Sequence, residues 1–157
     1  MGARQIDYDL FDLFSEEFFK KHGCDPRENP RARLRMLDSI EKMRKLLTAN
    51  KEADLNCDSL MEDNDFHKHF TREDLEKLIT PFIARFRKCL EDSLVKANIS
   101  PEKIDFIELV GDSTRMAIIQ QSIREVMKKE ELSRTLNSQE TVARGCALKA
   151  AMLSPKF

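Results

Sequence analysis

Two groups of residues have the types and spacing to do chemistry. The first is Glu41, Arg44, Lys45 and Thr48, whose spacings of three, four and seven put all four on one helix face, opposite the apolar stripe. A guanidinium and a lysine stem offer a flat or apolar platform to a purine ring. Glu41 and Thr48 can hydrogen-bond ribose hydroxyls and ring nitrogens. The same spacing also describes a solvated face with an i,i+4 Glu–Lys pair. The second group is the strand-turn-helix from Leu109 to Met116. A strand that ends in Gly111 and runs into a helix capped by a small hydroxyl residue offers backbone N–H groups to a phosphate or ribose. Arg115 is placed to stack on a base or meet an anion. A plain strand-to-helix turn with a serine cap has the same pattern.

Other candidates are thinner. His67 and His69 alternate near Glu62, Asp63 and Asp65, but no third ligand stands at a recognised metal spacing. Cys24, Cys57, Cys89 and Cys146 form no C-x-x-C pair and match no zinc template, so four reduced thiols are expected. Cys146 beside Gly145 reads as tight helix packing rather than a nucleophile. No Ser-His-Asp pattern, P-loop or G-x-G-x-x-G is present. Neither a catalytic residue nor a metal ligand is assigned.

The elements that must carry these groups follow from periodicity. The 157 residues are 41% hydrophobic and 35% charged with a net charge of −1, which describes a globular chain with no DNA-binding or polybasic membrane surface. No apolar run spans a bilayer and no secretory signal opens the chain, so a cytoplasmic protein is expected. Leu10, Phe11, Phe14 and Phe18 predict a helix over about 7–21, ended by Gly23 and Pro26. Asn29-Pro30 caps a long helix to about Ala49, with Leu34, Leu37, Ile40, Met43 and Leu47 as its apolar stripe. Alternation over 53–70 predicts two or three short antiparallel strands with Asn64 in a hairpin turn. Thr71 and Asp74 form a capping box for a helix to about Ala97, bent at Pro81. Phe106 to Val110 is a strand, apolar enough to be buried on both faces. A helix on Met116, Ile119, Ile123 and Val126 follows, then a short strand near Leu132. Asn137 and Glu140 make a second capping box, before a last helix to about Leu153.

In that order the motifs resemble one family. Glu41-Lys42-Met43-Arg44-Lys45-Leu46-Leu47-Thr48-Ala49-Asn50 resembles the adenosine-side helix of the seventy-kilodalton heat-shock chaperone superfamily. Leu109-Val110-Gly111-Asp112-Ser113-Thr114-Arg115 is similar to its second-lobe Leu-Val-Gly-Gly-x-Thr-Arg turn. Thr135-Leu136-Asn137, Glu140, Ala143-Arg144-Gly145-Cys146-Ala147-Leu148 and Ala150 to Pro155 are similar to the closing helix of that domain. The Arg-Gly-Cys-Ala-Leu run and the Ser-Pro-x-Phe ending are similar to the large, hundred-and-ten-kilodalton branch.

The resemblance implies an α/β, actin-like (ribonuclease H-like) ATPase domain of two lobes, with nucleotide between them. This chain would hold the second lobe: residues 1–103 mainly the outer subdomain, an inserted α+β unit of helices and a small antiparallel sheet, and 104–157 the inner one. It implies ATP or ADP as ligand, with magnesium held by the first lobe. By position, the nucleotide contacts are Glu41, Arg44, Lys45, Thr48, Gly111, Asp112, Ser113 and Arg115. Asp112 stands where the family has a second glycine, Ala117 where it has proline, and Gln139 where it has aspartate. The function implied is a large co-chaperone, acting as nucleotide exchange factor and holdase for a seventy-kilodalton partner. An ordinary ATP-hydrolysing foldase and a pseudo-ATPase scaffold are the alternatives. Unfolded clients would be bound by regions outside this chain, and the chain alone is expected not to hydrolyse ATP.

Overall fold

The computed structural model describes residues 2–137 and 140–155. Gln139 and Phe157 therefore lie outside the described residues. The fold is mixed: mostly helix, with one two-stranded antiparallel sheet. It divides into two compact units, Met1–Phe82 and Ile83–Phe157.

The first unit opens with α1 (Ala3–His22), which Gly23 ends in the left-handed conformation at φ 76°. Asn29 then accepts hydrogen bonds from the N–H groups of Arg31 and Ala32, and Pro30 fills the first turn of α2 (Pro30–Ala49). These bounds match the sequence expectation because the cap and the proline act locally. Strands β1 (Glu52–Met61) and β2 (Asn64–Thr71) form a hairpin. Its two-residue loop, Glu62-Asp63, takes positive φ at both positions, as a right-twisted hairpin requires. Asn64 flanks this loop rather than forming it, and pairs with Met61.

Ala53, Leu55, Cys57, Phe66 and Phe70 are the buried side of the hairpin. Its aromatic rings close on α1. Phe14 meets Phe70 edge-on at 5.4 Å and Phe66 at 5.8 Å, and Phe18 meets Phe66 at 5.9 Å. Lys68 shares a cross-strand pair with Leu55, and its ammonium reaches Glu17 of α1 at 2.8 Å. Register slips between Cys57 and Met61, where Ser59 has φ 42°. Arg35 of α2 pins this bulge by donating to the carbonyls of Asp58 at 2.6 Å and Ser59 at 2.7 Å.

One placement corrects the helix-wheel expectation. Leu34 is 69% exposed, whereas Arg44 is 1% exposed. At about 100° per residue, position 44 falls between Ile40 and Leu37 on the buried stripe, and position 34 falls well outside it. Arg44 is held there by Asp7 of α1, Nε to Oδ1 at 2.6 Å, with both side chains 2% exposed. It is therefore not opposite the apolar stripe but inside it.

Thr71 and Asp74 form the expected capping box, opening α3 (Arg72–Leu78). The bend expected at Pro81 is a break: α3 ends at Ile79, and α4 (Thr80–Ala97) restarts with Pro81 in its first turn. The division between the units falls inside α4.

The second unit is looser. A 3-10 turn at Pro101–Lys103 leads to an extended stretch, then a 3-10 turn at Asp112–Arg115 and α5 (Ala117–Met127). Among the described residues, Ile83, Leu109, Met116, Ile119 and Ile123 are its buried apolar side chains. Arg87 of α4 pairs with Glu125 of α5 at 2.5 Å. The strand expected at 106–110 is reduced to a single parallel bridge, Glu108 to Ser133, and Phe106 is 85% exposed. It is not buried on both faces, because among the described residues only the Ser133 segment pairs with it. Helix α6 (Thr141–Leu153) follows, with no buried residue.

Two expectations test this packing. Replacing Arg44 with alanine leaves the Asp7 carboxylate buried without this guanidinium, so unfolding should cost about 3–5 kcal/mol less; denaturant unfolding measures it. On the solvent side of the hairpin, His69 Nδ1–H donates to the Asp54 carboxylate across 2.7 Å, and the ring lies 3.5 Å from Glu52. The hydrogen bond to Asp54, helped by both carboxylates, raises the His69 pKa above the ordinary histidine value. Its stabilising contribution is then complete below about pH 6.5 and is lost as pH rises through the higher folded value. An NMR titration should place His69 above free histidine, and Asp54→Asn should bring it down.

Candidate functional site

The two candidate groups lie on different units, Glu41 to Thr48 on the first and Gly111 to Arg115 on the second. On α2, Glu41 and Thr48 are half-buried, Lys45 is exposed and Arg44 is buried. Lys45 donates to Glu41 at 2.6 Å, and Arg4 of α1 lies 3.8 Å from the same carboxylate. The Lys45 hydrogen bond, with Arg4 and Arg44 adding their charge, holds the Glu41 carboxyl below the usual range. Thr48 donates back to the Lys45 carbonyl at 2.7 Å. The outward set is thus an ordered acid–base pair flanked by a hydroxyl, and Arg44 supports it from within.

The end of this helix is finished by a side chain from beyond the hairpin. Arg72 donates to the carbonyls of Leu47 at 2.9 Å and Asn50 at 2.7 Å, groups that a helix C-terminus leaves without intrahelical partners. The turn carrying Thr48 is held by that guanidinium, and its charge suits the negative end of the helix dipole.

On the second unit, Gly111 has φ 93°, a conformation that strains any residue with a Cβ. Space is not the constraint, since an added Cβ would meet nothing within 4 Å. Asp112 is not among the residues with positive φ, so the backbone tolerates a carboxylate where the family pattern has its second glycine. Thr114 closes the turn, its N–H and hydroxyl both bonding to the Gly111 carbonyl, at 3.2 and 2.7 Å. Gln120 of α5 donates to the Thr114 carbonyl at 2.8 Å. Met116, not Ser113, precedes the helix proper, and it makes no side-chain cap. The expected serine cap is therefore replaced by a 3-10 turn from Asp112 to Arg115.

Beside this turn lies a recess of about 680 Å³, within the range of small-molecule sites. Thr114 and Arg115 line one part of it, and Arg134, Thr135, Leu136 and Asn137 another. The parallel bridge at Ser133 brings the second segment alongside the first. Asn137 also starts α6: its side chain accepts from Glu140 N–H at 3.3 Å, and its carbonyl accepts from Thr141. A guanidinium beside hydroxyl and amide groups in a concave site suits a planar ligand with polar edges. Among the described residues, no group of three His, Cys, Asp or Glu side chains gathers as a metal-ligand set. Burial pushes the Cys57 and Cys24 thiols up, away from nucleophilic thiolates. Among the described residues, no helix is long and apolar enough to cross a membrane.

Sequence reasoning missed two residues here. Asp7 shares a helical face with Phe11, Phe14 and Phe18, and a carboxylate inside an apolar stripe was the available signal of a buried partner. Glu108 carries no such signal, because its role depends on a segment more than twenty residues away.

Comparison with known proteins accounts for the combination. The family model described as Hsp70 protein matches residues 1–157. A protein of Saccharomyces cerevisiae described as a heat shock protein homolog is 39% identical over 154 residues, covering 98% of this chain and 22% of the relative. Heat shock protein hsp88 of Neurospora crassa is 39% identical over 156 residues, covering 99% and 22%. Heat shock 70 kDa protein 16 of Arabidopsis thaliana is 40% identical over 157 residues, covering 100% and 20%. The chain thus spans about a fifth of the length of the curated relatives it matches. A family model that matches the whole chain means that this protein belongs to the Hsp70 family.

Proposed function

We propose that this chain is the nucleotide-facing second lobe of a large heat-shock co-chaperone, which serves as nucleotide exchange factor and holdase for a seventy-kilodalton chaperone. The supporting observation is alignment over 98–99% of the chain with hsp88 and with the yeast heat shock protein homolog. In this reading the chain has the actin-like, ribonuclease H-like architecture, with an outer subdomain over 1–103 and an inner one over 104–157. The whole protein acts in the cytoplasm, with unfolded proteins as clients. Its ligand is ATP or ADP, and magnesium is held by residues outside this chain. Glu41, Lys45 and Thr48 on α2, and Gly111, Asp112, Ser113 and Arg115 at the turn, are the nucleotide contacts. Arg44 acts behind them as a support.

The burial of Arg44 favours a second reading, a pseudo-ATPase scaffold that binds partners with a weakened nucleotide site. A guanidinium bonded to Asp7 inside the core is not a platform for a base. Calorimetry with ATP on the two-lobe domain separates the readings, since tight binding removes the scaffold.

The exchange role is tested with the full-length protein and a seventy-kilodalton chaperone loaded with labelled nucleotide. Release should accelerate on mixing. Release at the unassisted rate would overturn the proposal.

A further inference from the structure

Glu108 has an unusual task for a residue in an extended segment. Backbone pairing sets it opposite Ser133: Leu109 N–H donates to the Ser133 carbonyl at 2.9 Å, and Ser133 N–H donates to the Ile107 carbonyl at 2.8 Å. From there the carboxylate reaches farther along the facing segment. One oxygen accepts from Leu136 N–H at 2.9 Å, and the other accepts from the Thr135 hydroxyl at 3.1 Å. Both oxygens are thus bonded to the wall of the recess that Arg134, Thr135, Leu136 and Asn137 provide.

That wall has no regular secondary structure of its own. It is tied at one end by the Ser133 bridge and at the other by the start of α6. Hydrogen bonds to a carboxylate are about twice as strong as neutral ones, so a charged acceptor is a sound choice for holding an irregular segment. We propose that Glu108 is a positioning residue for the ligand of this recess. By clamping Thr135 and Leu136 it keeps the wall that carries Arg134 in place relative to Thr114 and Arg115, and so sets affinity for a purine nucleotide. The ligand assignment rests on the nucleotide-contact reading above; the clamp rests on the two hydrogen bonds of the carboxylate.

The test uses the two-lobe domain that contains this chain, as wild type, E108L and E108Q. Leucine removes both acceptors at similar size, while glutamine keeps one acceptor for Leu136 N–H. Amide hydrogen exchange at Leu136 reads the clamp. ATP titration, followed by the amide resonances of residues 109–116 and 134–137, reads the ligand. In E108L, exchange at Leu136 should rise about tenfold or more, and ATP affinity should fall about tenfold, with α5 amides unchanged. E108Q should lie between. Wild-type exchange at Leu136 in E108L overturns the clamp. Faster exchange with unchanged ATP affinity overturns its role in binding. A wild-type two-lobe domain that gives no ATP-induced shift overturns the nucleotide reading and the ligand assignment together, and the exchange rates then decide the clamp alone.

Discussion

The first unit is organised around a carboxylate and a guanidinium out of water. Asp7 and Arg44 come from helices whose other inward positions include Ile6, Leu10, Phe14, Ile40, Met43 and Leu47. Desolvating either charge singly would cost more than most apolar contacts return, so the pair is tolerated only when the two helices meet in one arrangement. Helix α1 must present Asp7 where α2 presents Arg44, and this restricts both their rotation and their slide. Once they are set, Phe14 and Phe18 lie where the rings of Phe66 and Phe70 close on them. Arg35 reaches the bulge at Ser59 from the same α2.

This constraint also bears on function. With Arg44 turned inward, the solvent side of α2 offers Glu41, Lys45 and Thr48, with Glu41 already bonded to Lys45. A ligand that used Lys45 would have to compete with that bond or extend it. The second unit shows a related economy. The Gly111 turn is closed by its own Thr114, and the facing wall by Glu108, so neither needs a ligand to become ordered. Preordered groups lose less freedom on binding than mobile ones.

Much of the fold was legible where the signal was local. Asn29-Pro30 and the Thr71–Asp74 box start helices through bonds made within three residues, and alternation over 53–70 reports the two faces of the hairpin. Two features were not legible, each for a physical reason. An apolar stripe is read from apolar residues, so a buried arginine is assigned to solvent even though its position lies within the stripe; its partner is 37 residues distant. The apolar run from Phe106 to Val110 reports a preference for burial, but a strand also needs neighbours, and one bridge is all that forms among the described residues. In the candidate site, the residue types and the Gly111 turn were readable. Whether each side chain faces outward was not, because facing is decided by what packs behind it.

The central claim is that Asp7 and Arg44 act as one buried unit that orders α1 against α2. A double-mutant cycle with Asp7→Ala, Arg44→Ala and the combined variant, read by denaturant unfolding of the chain, tests it most directly. The predicted result is strong coupling, with the double variant costing little more than either single one. Coupling within about 0.5 kcal/mol of zero, the additivity of independent sites, would contradict it.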